Sequence, residues 1–113
     1  MANIKITKKD GGYQYQAPGH FDCILNRLHD AADVTDGAVT IGLSRFFPGG
    51  GTNYGSAPKE SVYYIVEGQM LFTDDEGKET LLEKGDSAHI AANAKKSVKN
   101  TGTTDTLMLV VLK

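Results

Sequence analysis

Three histidines and one cysteine carry most of the chemistry this chain could do, and their neighbours decide what each is suited to. His89 stands between Ala88 and Ile90 in a short strand-like run. The ordinary pKa of an imidazole lies near neutral pH, which makes a histidine in this place the best general acid or base in the sequence. The competing reading is a histidine held between a sheet wall and a partner surface. His20 follows the Pro18-Gly19 break and is a second candidate for a ligand site, whereas His29, beside Asp30, reads as a solvated loop residue. Cys23 lies in an alternating segment and reads as a buried structural thiol rather than a nucleophile. A single cysteine forms no internal disulfide, so the cytoplasm is the expected compartment. No Ser-His-Asp order, Cys/His zinc spacing, dinucleotide glycine fingerprint or N-glycosylation sequon occurs. Gly49-Gly50-Gly51 lacks the Gly-Lys-Ser/Thr of a phosphate loop and reads as a turn.

The elements that must position these groups are strands. Extended runs are expected at Ile4 to Lys8, Phe21 to His29, Val39 to Phe47, Ser61 to Val66, Met70 to Thr73, Glu79 to Leu82, Ser87 to Ala91, Ser97 to Lys99 and Thr106 to Leu112. Asp74 to Gly77 reads as a hairpin loop, and Asp30 to Asp33 as one helical turn stopped by Thr35-Asp36-Gly37. Thirteen glycines and this regular spacing suit an all-β sandwich or small barrel. A length of 113 residues suits one domain with one core. Lys+Arg 12 against Asp+Glu 14 gives a formal charge of −2 with no basic stripe, which argues against nucleic acid as a partner. The longest apolar run, Leu107 to Leu112, is too short for a bilayer, and Met1-Ala2-Asn3-Ile4-Lys5 opens no signal peptide, so no membrane association is expected.

Two stretches resemble the paired motifs of the cupin family. PGGGTNYGSAPKESVYYIVEG, ending at Glu67-Gly68, is similar to the first, and GDSAHIAANAKKSVKN, Gly85 to Asn100, to the second. Pro48, Gly49, Gly68, Gly85, Asp86, Ile90 and Asn100 match. Counting back from Glu67-Gly68, the family's two histidines fall on Gly55 and Ala57 and its glutamate on Ser61; in the second motif its proline is Ala91 and its histidine is Lys96. All four metal-ligand positions therefore lack an imidazole, thiolate or carboxylate. The resemblance covers Val39 to Leu112. It implies a double-stranded β-helix, or jelly-roll barrel, with 39–113 as barrel core and 1–38 as N-terminal extended segments. A homodimer is implied too, since members often pair; separately, the apolar Ile4, Ile6, Phe21 and Ile24 need cover, so Ile4 to His29 is expected to pair with or pack on the second copy. No metal and no cofactor is expected.

If Ser61 takes the family's inward position, strand alternation turns Tyr63 and Ile65 inward and Val62 and Tyr64 outward. In Val39 to Phe47 the series Val39, Ile41, Leu43, Arg45, Phe47 is the more apolar. It is expected to be the buried face, drawing Arg45 towards an anion or the rim. The Lys96 position also points inward by resemblance. Arg45, Lys96 and His20 are thus the candidate ligand-binding residues. His89, Glu60 and Tyr63 are the candidate catalytic ones, Glu60 being either a rim carboxylate or an inward partner for Lys96. The expected function is binding of a small organic acid, with metal-independent acid-base chemistry. A non-catalytic sensing barrel and a metal site rebuilt from His20, His89 and Glu60 are the alternatives.

Overall fold

The computed structural model describes residues 3–34 and 36–113. Within them the strands are β1 (Tyr13–Tyr15), β2 (His20–His29), β3 (Thr40–Thr52), β4 (Ser61–Glu67), β5 (Gln69–Thr73), β6 (Glu79–Glu83), β7 (Ser87–Ile90), β8 (Ser97–Lys99) and β9 (Thr106–Leu112). Every ladder is antiparallel, in the order β6-β5-β8-β3-β9-β4-β7, with β2 on β3 and β1 on β2. The result is an all-β jelly roll, a nearly closed barrel. Its core gathers Phe46, Tyr63, Ile65, Met70, Leu82, Ile90, Val98 and Met108 from both walls. Each such side chain fully removed from water contributes roughly 1.5–3 kcal/mol, which is what holds the two walls together. Asp30 caps a single 3-10 turn, Ala31–Asp33, by accepting from the Ala32 amide while Asp33 accepts from the Asp30 amide. Thr35, part of the expected stop to that turn, and Met1-Ala2 lie outside the described residues. No helix among those described is long and apolar enough to cross a membrane.

Three expectations need correcting. Ile4 to Lys8 forms no strand; the segment is tied down instead by Lys5 Nζ on Asp33 at 2.9 Å and by the Thr7 hydroxyl donating to the Leu28 carbonyl, and Ile4 and Ile6 are exposed. Pro48-Gly49-Gly50-Gly51 does not end β3. The strand runs through it to Thr52, because Gly51 passes so close to the Val98 carbonyl that a Cβ there would overlap it. The buried face of β3 is the other one. Thr40, Gly42, Ser44 and Phe46 point into the barrel, and Arg45 points out to Asp105 at 3.3 Å. The reason is that the outer wall is itself apolar. Ile41 lies in register with Val111 and Val62, and Leu43 with Leu109 and Tyr64, so hydrophobicity alone picks the wrong side.

β3 serves both walls, pairing with β9 along its first half and with β8 at Gly51. Asn100 fixes that bend. Its amide, fully buried, donates to the Phe46 carbonyl at 3.0 Å and the Thr104 carbonyl at 2.8 Å, and accepts from the Gly102 amide at 2.9 Å. Its backbone pairs with Gly49 and Gly50 at 2.8 Å each. Asn100→Ala leaves these buried groups unpaired and should cost about 2–4 kcal/mol. Urea unfolding should show a lower midpoint with unchanged slope; a loss below about 0.5 kcal/mol would mean the bend does not depend on the amide.

Candidate functional site

The barrel opens at a mouth where the loop after β3 meets the loop before β8. Asn93, in the left-handed conformation that its short polar side chain tolerates, donates its amide to the Ala57 carbonyl at 2.8 Å. Three residues on, Gly55 and Lys96 exchange backbone hydrogen bonds of 3.0 and 3.1 Å. Lys96 is thereby fixed in place. Its half-buried side chain lines a cavity of about 270 Å³ together with His20, Thr52, Asn53, Tyr54 and Tyr63. No carboxylate among the described residues forms an ion pair with it. Burial pushes its ammonium below the ordinary lysine range.

The other walls follow from register. Tyr63 sits in the row Gly42–Val110–Tyr63–Ala88 on the inner face, 8% exposed, while Tyr64 faces solvent, as alternation from Ser61 requires. Its ring meets Phe72 edge-on at 6.4 Å, and burial raises its phenol. The mouth's second lip is the start of β2, where His20 pairs with Thr52 and the Asn53 amide reaches the Gly19 carbonyl at 2.8 Å. A His20 ring nitrogen, Nδ1, lies 3.1 Å from the Pro18 carbonyl. Tyr54 donates its hydroxyl to the Asp74 carbonyl at 2.8 Å, which ties the mouth to the β5–β6 hairpin.

Lys96, Tyr63 and His20 are thus brought together; Arg45 and Glu60 are not, and His89 shares only a second recess with Lys96. Arg45 is on the outer wall, half-exposed, and belongs to no inner cavity. Glu60 does not turn inward to Lys96. Its carboxylate lies 2.6 Å from His89 Nε2 and 3.7 Å from Lys113 Nζ at the outer rim, where the His89 hydrogen bond first and then Lys113 hold it below the usual carboxylate range. The arginine on the inner-face side of the sheet is Arg27, half-buried, which sequence reasoning missed. It pairs in register with Gly42 on the inner face and stacks on Tyr15 at 4.4 Å. The signal was present in Phe21 to His29, where Cys23, Leu25 and Arg27 share a face. Cys23 is partly buried beside the core, and burial raises its thiol, as suits a structural residue.

Three of the four positions that would ligate a metal in relatives, Gly55, Ala57 and Lys96, line the mouth, and the fourth, Ser61, is buried. Two offer no donor atom, one a hydroxyl and one a cation, so this donor set does not fit a divalent metal. Among the described residues no three His, Cys, Asp or Glu side chains converge on one point, and His20 lies apart from the Glu60–His89 pair.

The chain belongs to the cupin family, whose cupin domain model matches residues 42–112. It is 30% identical over 109 residues to the beta-D-galactosidase Rv1717 of Mycobacterium tuberculosis, covering 96% of this chain and 93% of that protein. In fold it is similar to the polyketide cyclase RemF of Streptomyces resistomycificus, with a TM-score of 0.83 at 19% identity over 96% of this chain and 78% of that one. It is similar also to a predicted oxalate decarboxylase of Thermotoga maritima, with a TM-score of 0.82 at 18% identity over 96% and 97%.

A lysine whose folded-state pKa lies below its unfolded value of 10.5 destabilises the fold while it is charged. That cost is complete below the folded pKa and disappears as pH rises past the unfolded one. Lys96→Met should therefore melt a few degrees higher than the parent at neutral pH, with the gap closing in strong alkali. A variant that melts lower at neutral pH would show that the ammonium has a partner in the free protein.

Proposed function

We propose that the barrel mouth binds a small hydroxy or keto acid, with its carboxylate on Lys96, and that no metal takes part. The observation that carries this reading is a half-buried cation facing a cavity with no acid of its own. A desolvated ammonium is costly, and an incoming carboxylate offsets that cost as well as forming the bond. Tyr63, Tyr54, Asn53 and Thr52 supply neutral hydrogen-bonding groups for the rest of such a ligand. Chemistry, where it follows binding, falls to His20 and Tyr63, which share the cavity and can hold or pass a proton. Glu60 lines a separate outer recess, and His89, paired with it there, reaches Lys96 only through a second recess outside the mouth, so the pair has no part in that step. Lys96→Met should abolish the stabilisation that lactate or a similar acid confers in a thermal-shift titration while keeping the fold, and EDTA should leave the melting temperature unchanged. Stoichiometric iron, nickel, zinc or manganese in the purified protein would contradict the reading.

The relative at 30% identity favours a second reading, hydrolysis of a β-D-galactoside in the same mouth. Glycoside hydrolysis ordinarily needs two carboxylates, and the mouth's lining contains none; Asp74 and Asp75 line an adjoining recess that Lys96 shares. Turnover of a nitrophenyl β-D-galactoside that Asp74→Asn or Asp75→Asn abolishes would support this reading over the first.

Pairing with a second copy is part of the proposal. The outer wall exposes Val62, Tyr64 and Val66 beside Ile41, Leu43, Leu109 and Val111. Its charges, Arg45–Asp105 and Glu60–His89–Lys113, are already paired at the margins. Such a face can meet its own copy across a two-fold axis without stranding a charge. Light scattering should give two chains per particle at micromolar concentration and one for Tyr64→Glu; a monomeric parent would overturn it.

A further inference from the structure

Lys96 does not belong to one cavity only. Lys96 lines the mouth and also a second recess of about 220 Å³ walled by Phe72, Asp74, Asp75, His89 and Ala94, so the residue stands where the two meet. Its backbone is pinned to Gly55, and no carboxylate holds the side chain in an ion pair. A lysine amine that is partly out of water, rigidly based and open to small molecules from two sides has what a nucleophile needs. The desolvation that pushes it below the ordinary lysine range adds to the share present as free base. The Tyr63 hydroxyl and the His20 imidazole, in the same cavity, are placed to move protons.

We propose that Lys96 captures the carbonyl carbon of a small 2-keto acid as a Schiff base. The inference rests on the reading of the mouth as an acid-binding site and names the class of acid. In a 2-keto acid the electrophilic carbon is bonded directly to the carboxylate carbon, so an amine drawn to the anion arrives beside the carbonyl. The Nζ lone pair forms the carbon–nitrogen bond as the carbonyl π pair moves onto oxygen, which takes a proton while nitrogen gives one up. A second proton on that oxygen lets it leave as water, and the nitrogen lone pair closes the carbon–nitrogen double bond. Amine and ketone thus give imine and water, with nothing oxidised or reduced. The protonated imine then draws electrons from the adjacent bond, which is the shared requirement of decarboxylation and of proton exchange at the neighbouring carbon.

The test is reductive trapping. The full chain is incubated with pyruvate and sodium cyanoborohydride at neutral pH, digested and mapped by mass. The expected result is one adduct per chain, on Lys96, and none on Lys96→Arg, which keeps the charge but cannot form the imine. Labelling spread evenly over exposed lysines such as Lys95, or no labelling, overturns the proposal. Lactate, which has no carbonyl, separates the two readings in a parallel thermal-shift titration. Stabilisation by lactate without a pyruvate adduct sinks the covalent step and leaves acid binding standing. A Lys96 adduct without lactate binding supports the covalent step and sinks the reading of Lys96 as a carboxylate anchor. Failure of both sinks both.

Discussion

Everything in this barrel depends on one strand being shared by two walls. β3 begins beside β9 and ends beside β8, and a strand can change walls only by bending where neighbouring backbones come too close for side chains. Gly50 and Gly51 allow the approach, and the buried Asn100 amide holds it by joining the Phe46 carbonyl to the turn that leads into β9. A second joint, at Gly68, works the same way. Its backbone has positive φ, and a Cβ would collide with Thr106, whose hydroxyl links both backbone groups of Gln69. These two joints place the loops after β3 and before β8 opposite each other, and the mouth with Lys96 is the space they leave.

That explains why the fold was legible and parts of the site were not. Pro48, Gly68, Gly85 and Asn100 are answers to backbone geometry, and only a few residue types satisfy such demands, so their spacing identified the barrel. Tyr63 and Tyr64 were legible for the same reason, since alternation counted from Ser61 leaves no freedom. Apolarity alone puts Arg45 on the wrong face. Both faces of β3 are adjacent to hydrophobic groups, and the inner one carries the small residues Thr40, Gly42 and Ser44, which look polar in sequence but line a crowded interior. Arg27 went unnoticed because β2 lies outside both motifs and its inner face is defined only by pairing with β3. Glu60 took the rim, where His89 and Lys113 offer it partners in water. The alternative was burial beside Lys96, and a buried ion pair gains stability only when its geometry repays both desolvation costs.

At the four positions where the cupin motifs resembled here carry metal ligands, this chain has Gly55, Ala57, Ser61 and the ammonium of Lys96. A fixed positive charge at the mouth of an apolar barrel can still attract an acid, and an amine can also react in ways a metal cannot. Similarity to a cyclase and to a predicted oxalate decarboxylase at under a fifth identity establishes the barrel alone. The choice between acid and galactoside as ligand therefore rests on what surrounds Lys96.

The most direct test is an isotope-edited NMR titration of the lysine side chains, with and without lactate. The account requires that the Lys96 resonance, assigned by its loss in Lys96→Arg, titrate at lower pH than the exposed lysines in the free protein and move upward when the acid is bound. A Lys96 signal that titrates with the others and ignores the ligand would contradict the account at its centre.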